Sequence, residues 1–277
     1  MPELPELELA RRDLTRWTVG RTVLRAVVHD PTSVRHKLST NPSDVLKDGA
    51  PLLESRLTGA TATHVLRVGK RLAWQFDNGL SLLVHLGMSG KWAHRADDVV
   101  KHGKICLYID GAEPLWFIDP RRFGCLTPVQ EEAMDAVLRQ GLGPDALDEA
   151  PSTAELKARM QTRANIKTAL LDQKRLAGVG NIQAAEALWR AGVSPERRAN
   201  DLTDSEWHAL SEAIPTQLRW TIDVESDGEV VYLSEWGSQN PFAVYGREGE
   251  PCPKCGDHVV RAVHSGRSSF WCPSCQG

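Results

Sequence analysis

No feature of the 277-residue sequence limits its fold more than two cysteine pairs near its end. Cys252-Pro253-Lys254-Cys255 and Cys272-Pro273-Ser274-Cys275 bracket sixteen intervening residues. The opening stretch, MPELPELELARRDL, carries charges where a secretory signal needs an apolar run, so a reducing, cytoplasmic setting is expected. In that setting C-x2-C-x16-C-x2-C reads as a structural zinc site rather than two disulfides. Each C-x2-C turn lets two thiolates converge on one Zn2+, and four thiolates close the tetrahedron. With no open position, the metal has no catalytic role. The hairpin expected between the pairs carries Arg261, His264 and Arg267, so the metal would aim basic side chains. Cys106 and Cys125 lie in strand-like context and read as small core residues.

The rest of the chain divides by pattern. TVLRAVVHD (22–30), ATATHVLRV (60–68), RLAWQF (71–76), LSLLVHLG (80–87), KICLYID (104–110) and LWFID (115–119) are β-like runs. Asp77-Asn78-Gly79 and Asp110-Gly111 read as hairpin turns between them. Residues 4–17 have helical spacing, with Leu4, Leu7, Leu14 and Trp17 near one face. A β-rich domain with an N-terminal helix is therefore expected over 1–130, followed by an acidic, Gly- and Pro-bearing linker over 131–152. Residues 153–245 read as a helical domain. Ser152 or Thr153 would cap a first helix to about Gln161, and shorter helices follow over 165–171 and 181–191. A longer helix runs from about Thr203 to Trp220, where Pro215 is placed to kink or break it. Residues 246–277 form the zinc finger. The class is α+β.

Net charge points away from nucleic acid, with 33 Lys and Arg against 36 Asp and Glu. The average hides segregation. Residues 157–198 hold nine basic residues and three acids, whereas 131–155 hold seven acids and one Arg, and 201–229 eight acids and one Arg. A phosphate feels the local field, so the middle stretch suits an anionic partner. Within it, Gly178-Val179-Gly180-Asn181 stands directly ahead of a helix. Such a turn can offer backbone N–H groups to a phosphate, with Asn181 adding a side-chain amide, or it can be an ordinary tight turn. A helix–two-turn–helix element followed by a zinc finger reads as a grip on a duplex backbone. No run approaches the roughly 18 apolar residues of a membrane helix.

Five separated motifs occur in order: Met1-Pro2-Glu3-Leu4-Pro5-Glu6, His85-Leu86-Gly87-Met88-Ser89-Gly90, Asp119-Pro120-Arg121-Arg122-Phe123-Gly124, the GVGNI turn and the terminal FWCPSCQG. Together they resemble the formamidopyrimidine-DNA glycosylase / endonuclease VIII family of base-excision repair enzymes, closer to the formamidopyrimidine branch. The resemblance spans residues 2–277. It implies an N-terminal β-sandwich, a helix–two-turn–helix domain and a C-terminal zinc-finger β-hairpin, working as a monomer on double-stranded DNA with a damaged base or abasic site.

The resemblance also implies roles. Removal of Met1 would leave Pro2 as an N-terminal secondary amine, a nucleophile with an α-amino group's pKa near 8. Glu3 would move protons beside it, and Lys70, in the hairpin sequence Gly69-Lys70-Arg71-Leu72, would act on the damaged nucleotide as general acid or base. A one-residue shift would exchange Lys70 and Arg71, and only Lys readily gives up its proton. Met88, Arg121 and Phe123 match the residues that fill the gap left by a flipped base. His85, Asn181 and Arg267 match contacts to phosphates around the lesion.

Three departures bear on which base is recognised. GNIQA stands where the family has GNIYA, putting Gln183 at the Tyr position. Residues 221–247 lack the T-T-L-x-D stretch, and Lys101-His102-Gly103-Lys104 differs from the usual paired histidines. The leading expectation is a glycosylase and abasic-site lyase acting on oxidised or ring-opened purines through β,δ-elimination. Alternatives are the same chemistry on oxidised pyrimidines or bulky, cross-linked lesions, or a non-catalytic binder of damaged DNA, against which intact Pro2, Glu3 and Lys70 argue.

Overall fold

The structure, a computed structural model, describes residues 2–38, 41–97, 99–225 and 239–277. The chain forms two compact units. One contains Pro2 and residues 6–140; the other contains residues 3–5, 141–225 and 239–277.

In the first unit, helix α1 (Leu4–Thr18) buries Leu7, Ala10 and Leu14 along one stripe. Two antiparallel sheets follow. One has strands β1 (Val23–Val28), β6 (Gly103–Ile109), β7 (Leu115–Ile118) and β5 (Lys91–His94) in that order. The other has β2 (Ala62–Val68), β3 (Arg71–Phe76), β4 (Leu80–His85) and β8 (Cys125–Gln130). Alternation decides what faces inward: Leu72, Trp74 and Phe76 on β3 and Leu80, Leu82 and Val84 on β4 point to one core. Ile105, Leu107, Ile109, Leu115 and Phe117 from the other sheet enter the same core, which makes the pair a β-sandwich. Register is fixed by pairs such as Trp74 with Leu82 and Leu82 with Pro128. The expected turns at 77–79 and 110–111 join β3 to β4 and β6 to β7, with Gly79 and Gly111 at positive φ. Cys106 and Cys125 are fully buried, as expected of core residues.

The acidic stretch expected as a linker is partly helical. Helix α3 (Glu131–Arg139) forms because Met134 and Leu138, four residues apart, are buried and the helix packs on β3, β4 and β8. Helix α2 (Gly49–Leu57), β5 and β8 also went unforeseen.

In the second unit, α4 (Thr153–Arg159) starts at a Ser152–Glu155 capping box, and α5 (Ile166–Leu170) and α6 (Asn181–Ala191) follow. Helix α7 (Asp204–Glu225) starts where Thr203 and Glu206 exchange hydrogen bonds. Of the two outcomes expected at Pro215, a break does not occur, and the helix runs on to Glu225. Leu210, Ile214, Leu218 and Ile222 bury one face on both sides of the proline, and that packing offsets its missing N–H. Strands β9 (Val260–His264) and β10 (Arg267–Trp271) form the hairpin between the cysteine pairs. Among the described residues, no helix is long and apolar enough to cross a membrane.

Candidate active site

In the first unit, Pro2 is buried immediately ahead of α1; Met1, whose removal the sequence reading requires, lies outside the described residues. Lys70 is at the turn between β2 and β3, following Gly69 at φ 56°. Its neighbour Arg71 faces different work. The Arg71 guanidinium donates through Nη1 to the carbonyls of Leu138 (3.0 Å) and Gln140 (2.9 Å), satisfying the C-terminal end of α3. Arg71 is thus occupied by the main chain at the end of α3.

The two loops at 85–90 and 119–124 are built against each other. Asp119 is completely buried and accepts from Ser89 Oγ (2.7 Å), Gly124 N–H (2.7 Å) and Arg121 N–H (3.3 Å). Arg35, also completely buried, donates to the carbonyls of Phe123 (3.3 Å) and Arg122 (3.0 Å). Gly87, at φ 67°, lies so close that a Cβ there would be 2.5 Å from the Gly124 nitrogen. This contact brings Met88 beside the loop that carries Arg121 and Phe123. Met88 and Phe123 are half-buried, Arg121 is exposed, and the Arg121 guanidinium stands 5.6 Å from the Phe123 ring centre.

His85 is neutral at physiological pH. Burial first, then the positive charges of Arg71, Arg35 and Lys70, drive its pKa down to about 4 against the pull of Asp119. Gly87 N–H donates to His85 Nδ1 at 3.0 Å, so the proton of the neutral ring is on Nε2. A phosphate contact by His85 is therefore a neutral N–H donation rather than a charge pair.

The second unit treats the glycine turn differently from the phosphate reading. Glu3, 2% exposed, accepts from the backbone N–H groups of Ile182 (2.9 Å) and Gln183 (3.1 Å) at the start of α6. Those donors are taken by a carboxylate of the chain itself. The glycines exist for this contact: a Cβ on Gly180 would be 2.1 Å from Glu3 Cδ, and one on Gly178, at φ 104°, 2.4 Å from Leu4 Cδ1. Asn181 donates through Nδ2 to the Ser268 carbonyl at 3.0 Å, tying α6 to the hairpin. Gln183 is buried, with Oε1 accepting from the Thr221 hydroxyl at 3.0 Å. Arg267 is exposed at the start of β10, after a tight turn in which Ser265 and Gly266 both have positive φ. Most of the loop whose departure bears on base choice, residues 226–238, lies outside the described residues.

The basic stretch is less available than its count suggests. Lys157 pairs with Asp204, Arg175 with Asp172 and Arg197 with Glu206, while Arg190 donates to Gln217 Oε1. Lys167 is buried and donates to the Ser268 carbonyl (2.6 Å) and Ser269 Oγ (2.9 Å). Burial pulls its pKa down to about 8, with Glu3 opposing and Arg267 adding to the shift. A lysine so perturbed beside Glu3 is a functional candidate that the sequence reading counted only as one more cation. Asp119 and Arg35 were likewise missed as organisers of the two loops.

The four cysteines converge. The Sγ atoms of Cys252, Cys255, Cys272 and Cys275 all lie within 4.8 Å of one another, with Cys252 and Cys275 at 3.9 Å and Cys255 and Cys272 at 3.4 Å. A tetrahedral Zn–S site with bonds of about 2.3 Å has sulfur–sulfur edges of about 3.8 Å, so the donor set fits one Zn2+. The centre is docked on the C-terminal end of α6. Lys254 donates to the Trp189 carbonyl at 3.0 Å and lies 4.2 Å from the Trp189 ring centre, and Gln276 donates to the Val193 carbonyl at 2.8 Å.

Known proteins share this arrangement. Family profiles for the formamidopyrimidine-DNA glycosylase N-terminal domain, its H2TH domain and the zinc finger found in FPG and IleRS match residues 1–126, 142–232 and 249–277. The formamidopyrimidine-DNA glycosylase of Acidothermus cellulolyticus is 39% identical over all of this chain and 97% of its own. That of Jannaschia sp. is 36% identical over the full length of both. Lactococcus lactis Fpg in complex with abasic-site DNA has a TM-score of 0.85 at 28% identity, covering 100% of each chain. MutM in complex with DNA containing carbocyclic 8-oxo-G has a TM-score of 0.83 at 30% identity over 99% of each. Sandwich, helix–two-turn–helix and four-cysteine finger in one chain define a zinc-bearing DNA glycosylase of base-excision repair. The chain belongs to the formamidopyrimidine-DNA glycosylase family.

Proposed function

We propose that this glycosylase excises oxidised or ring-opened purines from duplex DNA and then cuts the strand at the resulting site, with Pro2 as nucleophile. The observation that carries the reading is Glu3, buried next to Pro2 and anchored at the start of α6 by two backbone N–H groups. The Pro2 nitrogen attacks C1′ of the damaged nucleotide, and the bond from C1′ to the base breaks. The sugar ring opens as O4′ takes a proton, a transfer assigned to Glu3, and C1′ becomes an iminium of the proline. The iminium acidifies the C2′ proton, so its removal expels the 3′ phosphate. A second elimination expels the 5′ phosphate. Lys70 moves protons at the same nucleotide; Met88, Arg121 and Phe123 fill the gap in the stack, and His85, Asn181 and Arg267 hold neighbouring phosphates. Zinc, when bound, holds the hairpin that presents Arg267.

A second reading keeps the chemistry and moves the substrate to oxidised pyrimidines. It is supported by Lactococcus lactis Fpg, 29% identical, which has been crystallised with oxidised-pyrimidine DNA. The bacterial relatives support action in the bacterial cytoplasm, on DNA of the nucleoid; a monomer is the expected state. Borohydride trapping on an abasic duplex tests the mechanism. Wild type should form a covalent adduct, and Pro2→Gly should lower its yield by about 100-fold or more. An undiminished adduct with Pro2→Gly refutes the assignment.

A further inference from the structure

We propose that Arg67 and Arg71 are positioning residues for Lys70, holding the turn that carries it from both sides. The inference rests on the reading of Lys70 as a proton-transfer group. Arg67 is on β2, three residues before Lys70, and its side chain is 1% exposed. Its Nη1 donates to the Gly69 carbonyl at 3.3 Å, the peptide group directly preceding Lys70. Its Nε pairs at 3.2 Å with Glu8 on α1, the helix that starts two residues after Pro2. Glu8 is firmly ionised. Burial alone would raise its carboxyl, but Arg11, Arg12 and Arg67 overcome that and hold it at about 2.

On the other side, Arg71 donates to the carbonyls that end α3. Lys70 is therefore flanked by two arginines with different supports: the Glu8 carboxylate of α1 holds Arg67, and the carbonyls that end α3 hold Arg71. The turn has two residues, Gly69 at φ 56° and Lys70, between the paired Val68 and Arg71, so it places the lysine only as accurately as those two strand ends are held. The two guanidinium groups hold those ends. A buried arginine is a costly way to brace a turn unless the braced group must be placed accurately, because leaving its charge unpaired would strongly destabilise the fold. Proton transfer sets that demand: a reacting group must be within about 3 Å of its partner, and a misplacement of about 1 Å lowers rates by about 100-fold.

The test uses the full-length, zinc-loaded protein and a duplex with one 8-oxoguanine opposite cytosine, under single-turnover conditions. A second duplex carrying tetrahydrofuran, which cannot react, reads affinity alone. R67M and R71M should each slow excision by about 10- to 100-fold while tetrahydrofuran-duplex affinity changes by less than about 3-fold. R67K and R71K should recover most of the rate, because an ammonium still reaches a carbonyl. Rates within about 2-fold of wild type in both R67M and R71M overturn the inference, as does a parallel loss of rate and affinity. Should R67M fail to fold, R71M, whose side chain is partly exposed, carries the same test. Lys70→Met separates the two readings. If it is slow while R67M and R71M are fast, only the positioning role falls. If it is itself at full rate, the reading of Lys70 falls and takes this inference with it.

Discussion

The loops at 85–90 and 119–124 and the hairpin at 260–271 both present side chains at turns, but different forces hold them. The loops are fixed by Asp119 and Arg35, ionisable groups buried inside the sandwich and saturated with backbone and hydroxyl partners. The hairpin has too little core for that. Its interior is Val259, Phe270 and Tyr245 against Ala185 and Val244, so four sulfurs and one metal must replace the missing apolar area. Buried ionisable groups hold the loops by themselves; at the hairpin, where Lys167 also reaches the Ser268 carbonyl and Ser269 Oγ, four thiolates add a metal centre.

The contrast breaks most visibly at the metal. Chelation, or Cys272→Ser, should lower affinity for lesion duplexes by about 100-fold or more, because Arg267 and the Ser268 carbonyl that holds Asn181 lose their support. Cooperative unfolding of the sandwich, followed by tryptophan fluorescence, should remain. If both are lost together, the two regions do not depend on separate forces. Asp119→Ala should have the reverse profile: about 2–4 kcal/mol less stability in urea for the sandwich, from unpaired buried N–H groups, with zinc content unchanged. A loss under 1 kcal/mol would mean that water replaces the carboxylate.

The smallest expected effect is a pH dependence on the loop side. His85 is held at about 4, below its ordinary 6.5, so the unfolded chain binds more protons between those values. Its contribution is therefore complete above pH 6.5 and is lost as pH falls toward 4. Discounted for partial exposure, it amounts to about 1–2 kcal/mol. His85→Gln should flatten the stability profile in that window; an unchanged slope would assign the acid sensitivity to other groups.

What the sequence made legible follows the same division. The zinc centre was readable because thiolate chemistry allows few uses for such spacing, and strands such as 71–76 and 80–85 because they are apolar-rich runs bounded by a turn signal. Other elements were not: β5 has only four residues, β8 carries Pro128, which argues against a strand, and α3 hides its Met134–Leu138 pair among acids. The glycine turn was misjudged for a deeper reason. Gly178 and Gly180 announce a close approach to a helix start, but nothing local says whether a phosphate or a residue 177 positions upstream approaches. The basic stretch misled similarly, since Lys157 finds its acid on α7, 47 positions along the chain, and Arg197 finds Glu206 on the same helix.

The fit of Glu3 against Gly180 has a consequence for how such sequences change over time. A side chain at 180 and a carboxylate at 3 exclude each other, so the two positions are free to drift only in one order. A descendant that loses the acid opens room at 180 and can then accept alanine or serine there. One that keeps the acid cannot. In any lineage of this fold, a bulkier residue at that turn would record an earlier loss of the acid, even if every other motif still read as intact.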